Sequence, residues 1–152
     1  MATGLFVAAV LTACTVQLAP NYDPSIVDGI GAASEDAEKL FASVSMGVSA
    51  ATFAKREDDY NAIIGKLEAL RISAESRPAA SGSLFLQRHA IKGIPTLATP
   101  TPSVLAEAGK PIAMMRDSDR KRGLTPLLVE GFKNSFEISI QQALTYEKAL
   151  QR

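Results

Sequence analysis

Apolar residues recur every three or four positions in three long stretches of this 152-residue chain. This spacing places the apolar side chains on one face of an α-helix and leaves the opposite face to charged residues. A helix with one apolar stripe must bury that stripe against another element, so the three stretches constrain the fold more than any other feature. They predict an all-α protein built on an antiparallel three-helix bundle.

The first helix is predicted to begin at Asp23-Pro24, because aspartate caps free amide groups and proline is tolerated at the first helical position. A break is predicted at residues 46–49, where Gly47 supplies a permissive backbone and Ser49 or Thr52 can cap the next helix. The apolar seam between these points consists of Ile26, Ile30, Ala33, Ala37, Leu40 and Val44.

The second and last long helices show the same pattern. The second is predicted to end near Arg77, because Pro78 disfavours a helical residue before it. The last begins at Thr125-Pro126, and Gly131 inside it costs about 1 kcal/mol relative to alanine, so another backbone is expected to lie close there. The two seams comprise Phe53, Tyr60, Ile63, Ile64, Leu67, Leu70 and Ala74, then Leu128, Phe132, Phe136, Ile140, Ala143 or Leu144, and Leu150.

A long irregular insertion, residues 78–123, is predicted between the second and third long helices, because Pro, Gly and Ser recur there. Residues 84–86 are expected to be its one apolar anchor to the core. Within the insertion, Thr101-Pro102-Ser103 can start a brief fourth helix that Gly109 closes. Residues 112–115 fit either a helical turn or a covering loop, and residues 117–123 indicate a solvated charge cluster.

An apolar run precedes the helices and ends on the only cysteine, Cys14. Residues 5–13 would span only about 14 Å as a helix, whereas a bilayer core of roughly 30 Å needs about 20 residues. The run is therefore too short for a transmembrane helix, but its length suits the apolar core of a secretory signal. The alternative is a buried helix or strand of a soluble domain, with Cys14 as a small core residue.

The four residues Leu11-Thr12-Ala13-Cys14 resemble the lipobox of bacterial lipoprotein precursors. In that family the cysteine thiol is alkylated by a diacylglycerol group, the preceding peptide is removed and the new amino terminus is acylated. The resemblance implies that residues 1–13 are a signal peptide and that Cys14 is lipidated. It also implies that residues 14–22 tether the lipid to a single helical domain, residues 23–152.

The residue after the cysteine bears on localisation. Thr15 is not aspartate, and the resemblance then implies release from the inner membrane of a Gram-negative cell and attachment to the outer membrane, facing the periplasm. The chain from Cys14 onward also resembles small uncharacterised proteobacterial helical lipoproteins. That second likeness implies no activity.

Charge and side-chain chemistry argue against several function classes. The formal net charge is zero, whereas a nucleic-acid-binding domain usually shows a basic excess, so no nucleic-acid partner is predicted. The single histidine, His89, has no carboxylate near it in the sequence, and His89 with Cys14 does not make a usual metal-ligand set. We therefore predict a protein that is not an enzyme and that uses no cofactor or metal.

Two functions remain. The first is a structural or accessory component of an envelope assembly, held to the membrane through the lipid on Cys14 and bound to another envelope protein. The alternative is a periplasmic module whose bundle and insertion enclose an apolar pocket for a lipid or small hydrophobic ligand. The oligomeric state stays open, because an apolar seam does not tell whether its partner helix belongs to the same chain.

Overall fold

The computed structural model describes residues 19–78 and 99–151. These residues form α1 (Pro24–Val44), a 3₁₀ helix (Ala50–Lys55), α2 (Glu57–Glu75), α3 (Pro100–Arg122) and α4 (Pro126–Ala149). Within these two ranges there is no β-strand, only an isolated antiparallel bridge between Val48 and Leu124. The predicted all-α class is confirmed, while the anchor predicted at residues 84–86 lies outside the described residues.

The four long helices pack in a ring, because each contacts the next one in the chain and α4 contacts α1. Short connections make α1 and α2, and likewise α3 and α4, antiparallel neighbours. Arg120 near the end of α3 binds Glu57 at the start of α2, and the end of α1 lies beside the start of α4, where Val48 and Leu124 exchange backbone hydrogen bonds of 2.9 and 2.8 Å. The helices therefore alternate in direction around the ring.

The predicted seams of α1, α2 and α4 face the inside of this ring. All six seam residues of α1 are buried, and the seam residues of the other two helices are buried or half-buried. Phe41 of α1 meets Phe136 of α4 with ring centroids 5.7 Å apart. Phe53, which was assigned to the second helix, lies instead in the 3₁₀ helix, where its ring stacks on Tyr60 at 6.2 Å.

The predicted irregular segment, residues 78–123, is wrong over α3, and the three-helix arrangement is not confirmed. α3 is a helix of 23 residues that continues past Gly109, where a brief fourth helix was predicted to end. Its prolines at positions 100 and 102 fall in the first turn, where backbone N–H groups have no helical partner. Beyond them a seam with steps of three and four is buried, consisting of Leu105, Ala108, Ile112, Met115 and Asp119.

The packing of this seam offsets two helix-breaking residues. Gly109 costs about 1 kcal/mol and Pro111 about 3 kcal/mol in a helix interior relative to alanine. Pro111 itself is buried, so its ring contributes apolar contact while its missing N–H leaves the carbonyl of Glu107 without a helical donor. Of the two alternatives for residues 112–115, the helical one is correct.

Two glycines form the corner at which the ends of α1 and α3 meet. Gly47 has φ +84° and Gly123 has φ +79°, a region that residues with a Cβ rarely adopt. A Cβ on Gly47 would lie 2.8 Å from the carbonyl oxygen of Leu124, and one on Gly123 would collide with the carbonyl oxygen of Val48. The break predicted at Gly47 is confirmed, and the corner requires glycine on both sides.

We expect Gly123→Ala to lower the free energy of unfolding by about 2 kcal/mol, because it combines backbone strain with a collision against Val48. Urea unfolding followed by circular dichroism measures this change. The matched control is Gly65→Ala in α2, where a Cβ would meet no atom within 4 Å. Since alanine is the better helix former, this control should raise the free energy of unfolding by about 0.5–1 kcal/mol. Equal stability of the two variants would contradict the assigned corner.

The cap of α1 gives a pH-dependent prediction. Asp23 accepts hydrogen bonds from the Ser25 backbone N–H at 2.9 Å and from the Ser25 hydroxyl at 2.7 Å, and these bonds hold the pKa of Asp23 below its usual range. A lowered folded-state pKa means that the cap stabilises the fold above the unfolded pKa of about 3.9 and is lost as the pH falls through the folded pKa.

Asp23→Ala is therefore expected to lower the free energy of unfolding by about 1 kcal/mol at pH 7, with a smaller difference from wild type at pH 3. Parallel urea titrations at the two pH values measure both differences. Asp28→Ala, at an exposed position within α1, is the control and should change stability by less than about 0.5 kcal/mol at pH 7. An Asp23→Ala effect of the same size at both pH values would contradict the capping role.

Candidate functional site

The predicted lipidation site lies outside the described residues, as do the signal peptide and His89. Cys14 is ten residues before Pro24, the first residue of α1. Ten residues span at most about 35 Å when fully extended. The start of α1 is therefore never farther than that distance from Cys14.

A buried ion-pair cluster, here called the upper cluster, joins the 3₁₀ helix, α2 and α3. The guanidinium of Arg56 donates to both carboxylate oxygens of Asp119, at 2.8 and 2.9 Å, and to the hydroxyl of Thr52 at 3.0 Å. The hydroxyl of Tyr60 donates to Asp119 at 3.2 Å. Asp119 has no exposed surface, so these bonds replace the water that its charge would otherwise bind.

The pKa shifts in the upper cluster keep Arg56 charged and the Tyr60 hydroxyl protonated. The hydrogen bond to Asp119 raises the pKa of Arg56. Burial, and secondarily the charge of Asp119, raises the pKa of Tyr60 well above its usual range, so Tyr60 stays a hydrogen-bond donor. Arg120 covers the outside of this cluster, with its guanidinium carbon 4.9 Å from the centre of the Phe53 ring.

A second cluster, here called the lower cluster, closes the opposite end of the bundle. Arg77, just after α2, donates to both carboxylate oxygens of Glu147 in the last turn of α4, at 2.9 and 2.6 Å. The hydroxyl of Thr101 in the first turn of α3 donates to the same carboxylate. Burial, followed by the charge of Glu147, raises the pKa of the neighbouring Tyr146.

Both clusters hold helices together and offer no reactive group. In residues 19–78 and 99–151 every buried side-chain nitrogen or oxygen has a hydrogen-bond partner. A carboxylate that accepts from two nitrogens of one guanidinium is committed to that pair. The same part of the chain contains no group of three or more His, Cys, Asp or Glu side chains placed to hold a metal ion.

Sequence reasoning missed both carboxylates. Asp119 was assigned to a solvated charge cluster at residues 117–123, which is wrong for this residue because it is fully buried. The signal was its position: Asp119 continues the three-and-four stepping of the α3 seam, as Glu147 continues that of α4. A charged residue at a seam position must find a buried partner, and an arginine near the end of a neighbouring helix is the usual one.

The middle of the solvent-facing side of α4 carries no charged side chain along most of the helix. Six exposed residues with steps of four and three form this face, here called the outer stripe: Leu127, Gly131, Asn134, Ile138, Gln141 and Thr145. Leu127 is 78% exposed and Ile138 is 58% exposed. Among the described residues no backbone lies close to Gly131 as predicted, because a Cβ there would meet none of their atoms within 4 Å.

A groove runs beside the outer stripe, between α3 and α4. A cleft of about 390 Å³ lies in it, and Met114, which is 60% exposed, and Leu127 contribute apolar atoms to its wall. Its other lining residues are Glu107, Lys110, Pro111, Leu128, Gly131, Phe132, Ser135 and Ser139. The side chains are mostly uncharged, so the groove and the outer stripe form one surface suited to apolar contact.

Comparisons of this chain with models of protein families, with curated proteins and with solved structures found no match. None of the helices described here combines the length and the apolar character needed to cross a bilayer.

We expect Asp119→Ala to lower the free energy of unfolding by about 3 kcal/mol, because it leaves the buried Arg56 charge without its partner. Asp117→Ala is the matched control, since Asp117 is exposed and contacts only the adjacent Arg116 at 3.3 Å. The control should change stability by less than about 0.5 kcal/mol. Urea unfolding of the two variants distinguishes these values, and equal losses would show that the upper cluster does not hold the helices.

Proposed function

We propose that this protein is a small helical lipoprotein, attached through Cys14 to the periplasmic face of the outer membrane. There it acts as a structural or accessory interaction component of an envelope assembly. The observation that carries this proposal is the sequence Leu11-Thr12-Ala13-Cys14 after an apolar run that is too short to span a bilayer.

The described bundle supports this proposal in two ways. Buried clusters whose polar groups are all paired join α2 to α3 at one end and α2, α3 and α4 at the other, an arrangement typical of a rigid scaffold. Its exposed surface includes the uncharged outer stripe of α4 and the mostly uncharged groove between α3 and α4, and the cores of protein interfaces are depleted in charged residues. A rigid bundle with such a face, held close to a membrane, suits the role of holding a partner protein in a fixed position.

Metabolic labelling with a fatty-acid analogue tests the attachment. The wild-type chain is expected to incorporate the label and Cys14→Ser to lose it. An unlabelled wild type, or equal label on Cys14→Ser, would overturn the lipoprotein assignment.

The matched variant Thr15→Asp tests the destination. It should keep the label but move from the outer to the inner membrane fraction in a density gradient. A Thr15→Asp chain that stays in the outer membrane fraction would refute the role given to Thr15.

The groove between α3 and α4 favours a second candidate function, binding of a lipid or small hydrophobic ligand. Exposed Met114 and Leu127 in its wall are the supporting observation, because ligand sites are concave and mostly apolar. Native mass spectrometry of the membrane-extracted chain discriminates the two functions. A ligand that stays bound without a covalent link, and that Met114→Glu releases, favours the second.

A further inference from the structure

The outer stripe of α4 is unlike the exposed faces of the other helices. On α1 and α2 the exposed faces carry charges, several of which form ion pairs, as Lys39 does with Glu35 and Arg71 with Glu68 and Glu75. On α4 the exposed stripe from Leu127 to Thr145 carries no charge. Ile138, at its centre, exposes 58% of its surface. This uncharged helix face, with an exposed aliphatic residue at its centre, has no packing partner among the described parts of the chain.

An acidic and a basic residue, Glu130 and Lys148, lie near the two ends of this stripe. Glu130 and Lys148 are both exposed and are 18 residues apart. Eighteen residues make about five helical turns, so the two side chains lie on the same flank of α4, about 27 Å apart along its axis. Neither forms an ion pair within residues 19–78 and 99–151, although Lys133, which lies between them in the sequence, pairs with both Glu38 and Glu137.

We propose that the outer stripe binds the same stripe of a second copy of this chain, with the two α4 helices antiparallel about a two-fold axis beside Ile138. A residue at a given distance along α4 on one side of the axis then faces the residue of the second copy that lies at the same distance on the other side of the axis. Glu130 of one copy meets Lys148 of the other, and the symmetry repeats this pair at the other end of the interface. The two Ile138 side chains meet near the axis.

The positions of Glu130 and Lys148 favour a second copy of this chain as the partner of the outer stripe. An axis midway between Glu130 and Lys148 passes beside Ile138, so one axis pairs both sets of charges and the exposed aliphatic side chains. In a parallel pair the symmetry would place the two Glu130 side chains at equal height on opposite sides of the interface, and likewise the two Lys148 side chains, so neither charge would meet an opposite one. The complementary charges therefore favour a two-fold antiparallel pair over a parallel one.

Gly131 supports the same arrangement. It lies in a helix interior, where it costs about 1 kcal/mol relative to alanine, and no atom of residues 19–78 and 99–151 lies close enough to require it. In the antiparallel pair Gly131 lies within about 3 Å, measured along the helix axis, of Thr145 of the second copy, and its missing side chain lets the helices approach. The proposal goes beyond the proposed function, because it needs neither the lipid nor another protein.

Disulfide cross-linking tests the axis directly. In the full chain carrying Cys14→Ser, Ile138→Cys supplies a single thiol near the axis, where two copies bring their Cβ atoms within disulfide range. Ile72→Cys in α2, 53% exposed, is the matched control. Mild oxidation should give a covalent dimer of the Ile138→Cys chain and a monomer of the control. No dimer, or equal dimer from both variants, would overturn the proposal.

Charge reversal tests the pairing. Sedimentation equilibrium of the Cys14→Ser chain should show a reversible dimer that Glu130→Lys or Lys148→Glu weakens about tenfold, since each reversal affects two pairs. The double reversal should restore dimerisation to within about twofold of the parent. A parent chain that is monomeric at every concentration, or a double variant no stronger than the single ones, would overturn it, and would leave the surface to a different protein or a lipid.

Discussion

The buried pair of Arg56 and Asp119 constrains the whole bundle, because a carboxylate without exposed surface is tolerated only where all of its hydrogen bonds are made. Removing such a charge from water costs several kcal/mol, and the cost is recovered only in good geometry. A shift of α3 along α2 by one turn, about 5.4 Å, would separate the two charges. The pair therefore fixes the register of α2 and α3, and the pair of Arg77 and Glu147 fixes α2 and α4 in the same way.

α3 depends on these clusters more than the other helices do. Gly109 and Pro111 together make its intrinsic helix propensity about 4 kcal/mol poorer than that of an alanine helix. Tertiary contacts supply the difference along the seam and at both ends. Thr101 in the first turn binds Glu147, and Asp119 in the last part of the helix binds Arg56. The helix with the weakest local preference is thus the one that buried side chains hold at both ends.

This dependence explains how much of the fold the sequence could predict. The seams of α1 and α4 could be recognised because they begin at clear caps, Asp23 and Thr125, and the seam of α2 because, like theirs, it contains no internal proline. In α3 a seam of the same quality passes through Gly109 and Pro111, and local rules favour a loop there. Asp119 and Glu147 were missed because their burial follows from distant arginines, 63 and 70 residues away in the chain, which no local pattern contains.

The same topology links the two proposals about this protein. The start of α1 lies at the end of the bundle that carries the lower cluster, because the charge of Arg77 acts on both Asp23 and Glu147. α4 ends there too. An antiparallel pair of α4 helices would place the two α1 starts at opposite ends of a helix about 36 Å long. Both tethers, each spanning at most about 35 Å, reach one membrane most readily when α4 lies along its surface. Lipidation and dimerisation together would therefore hold the bundle flat against the membrane rather than upright.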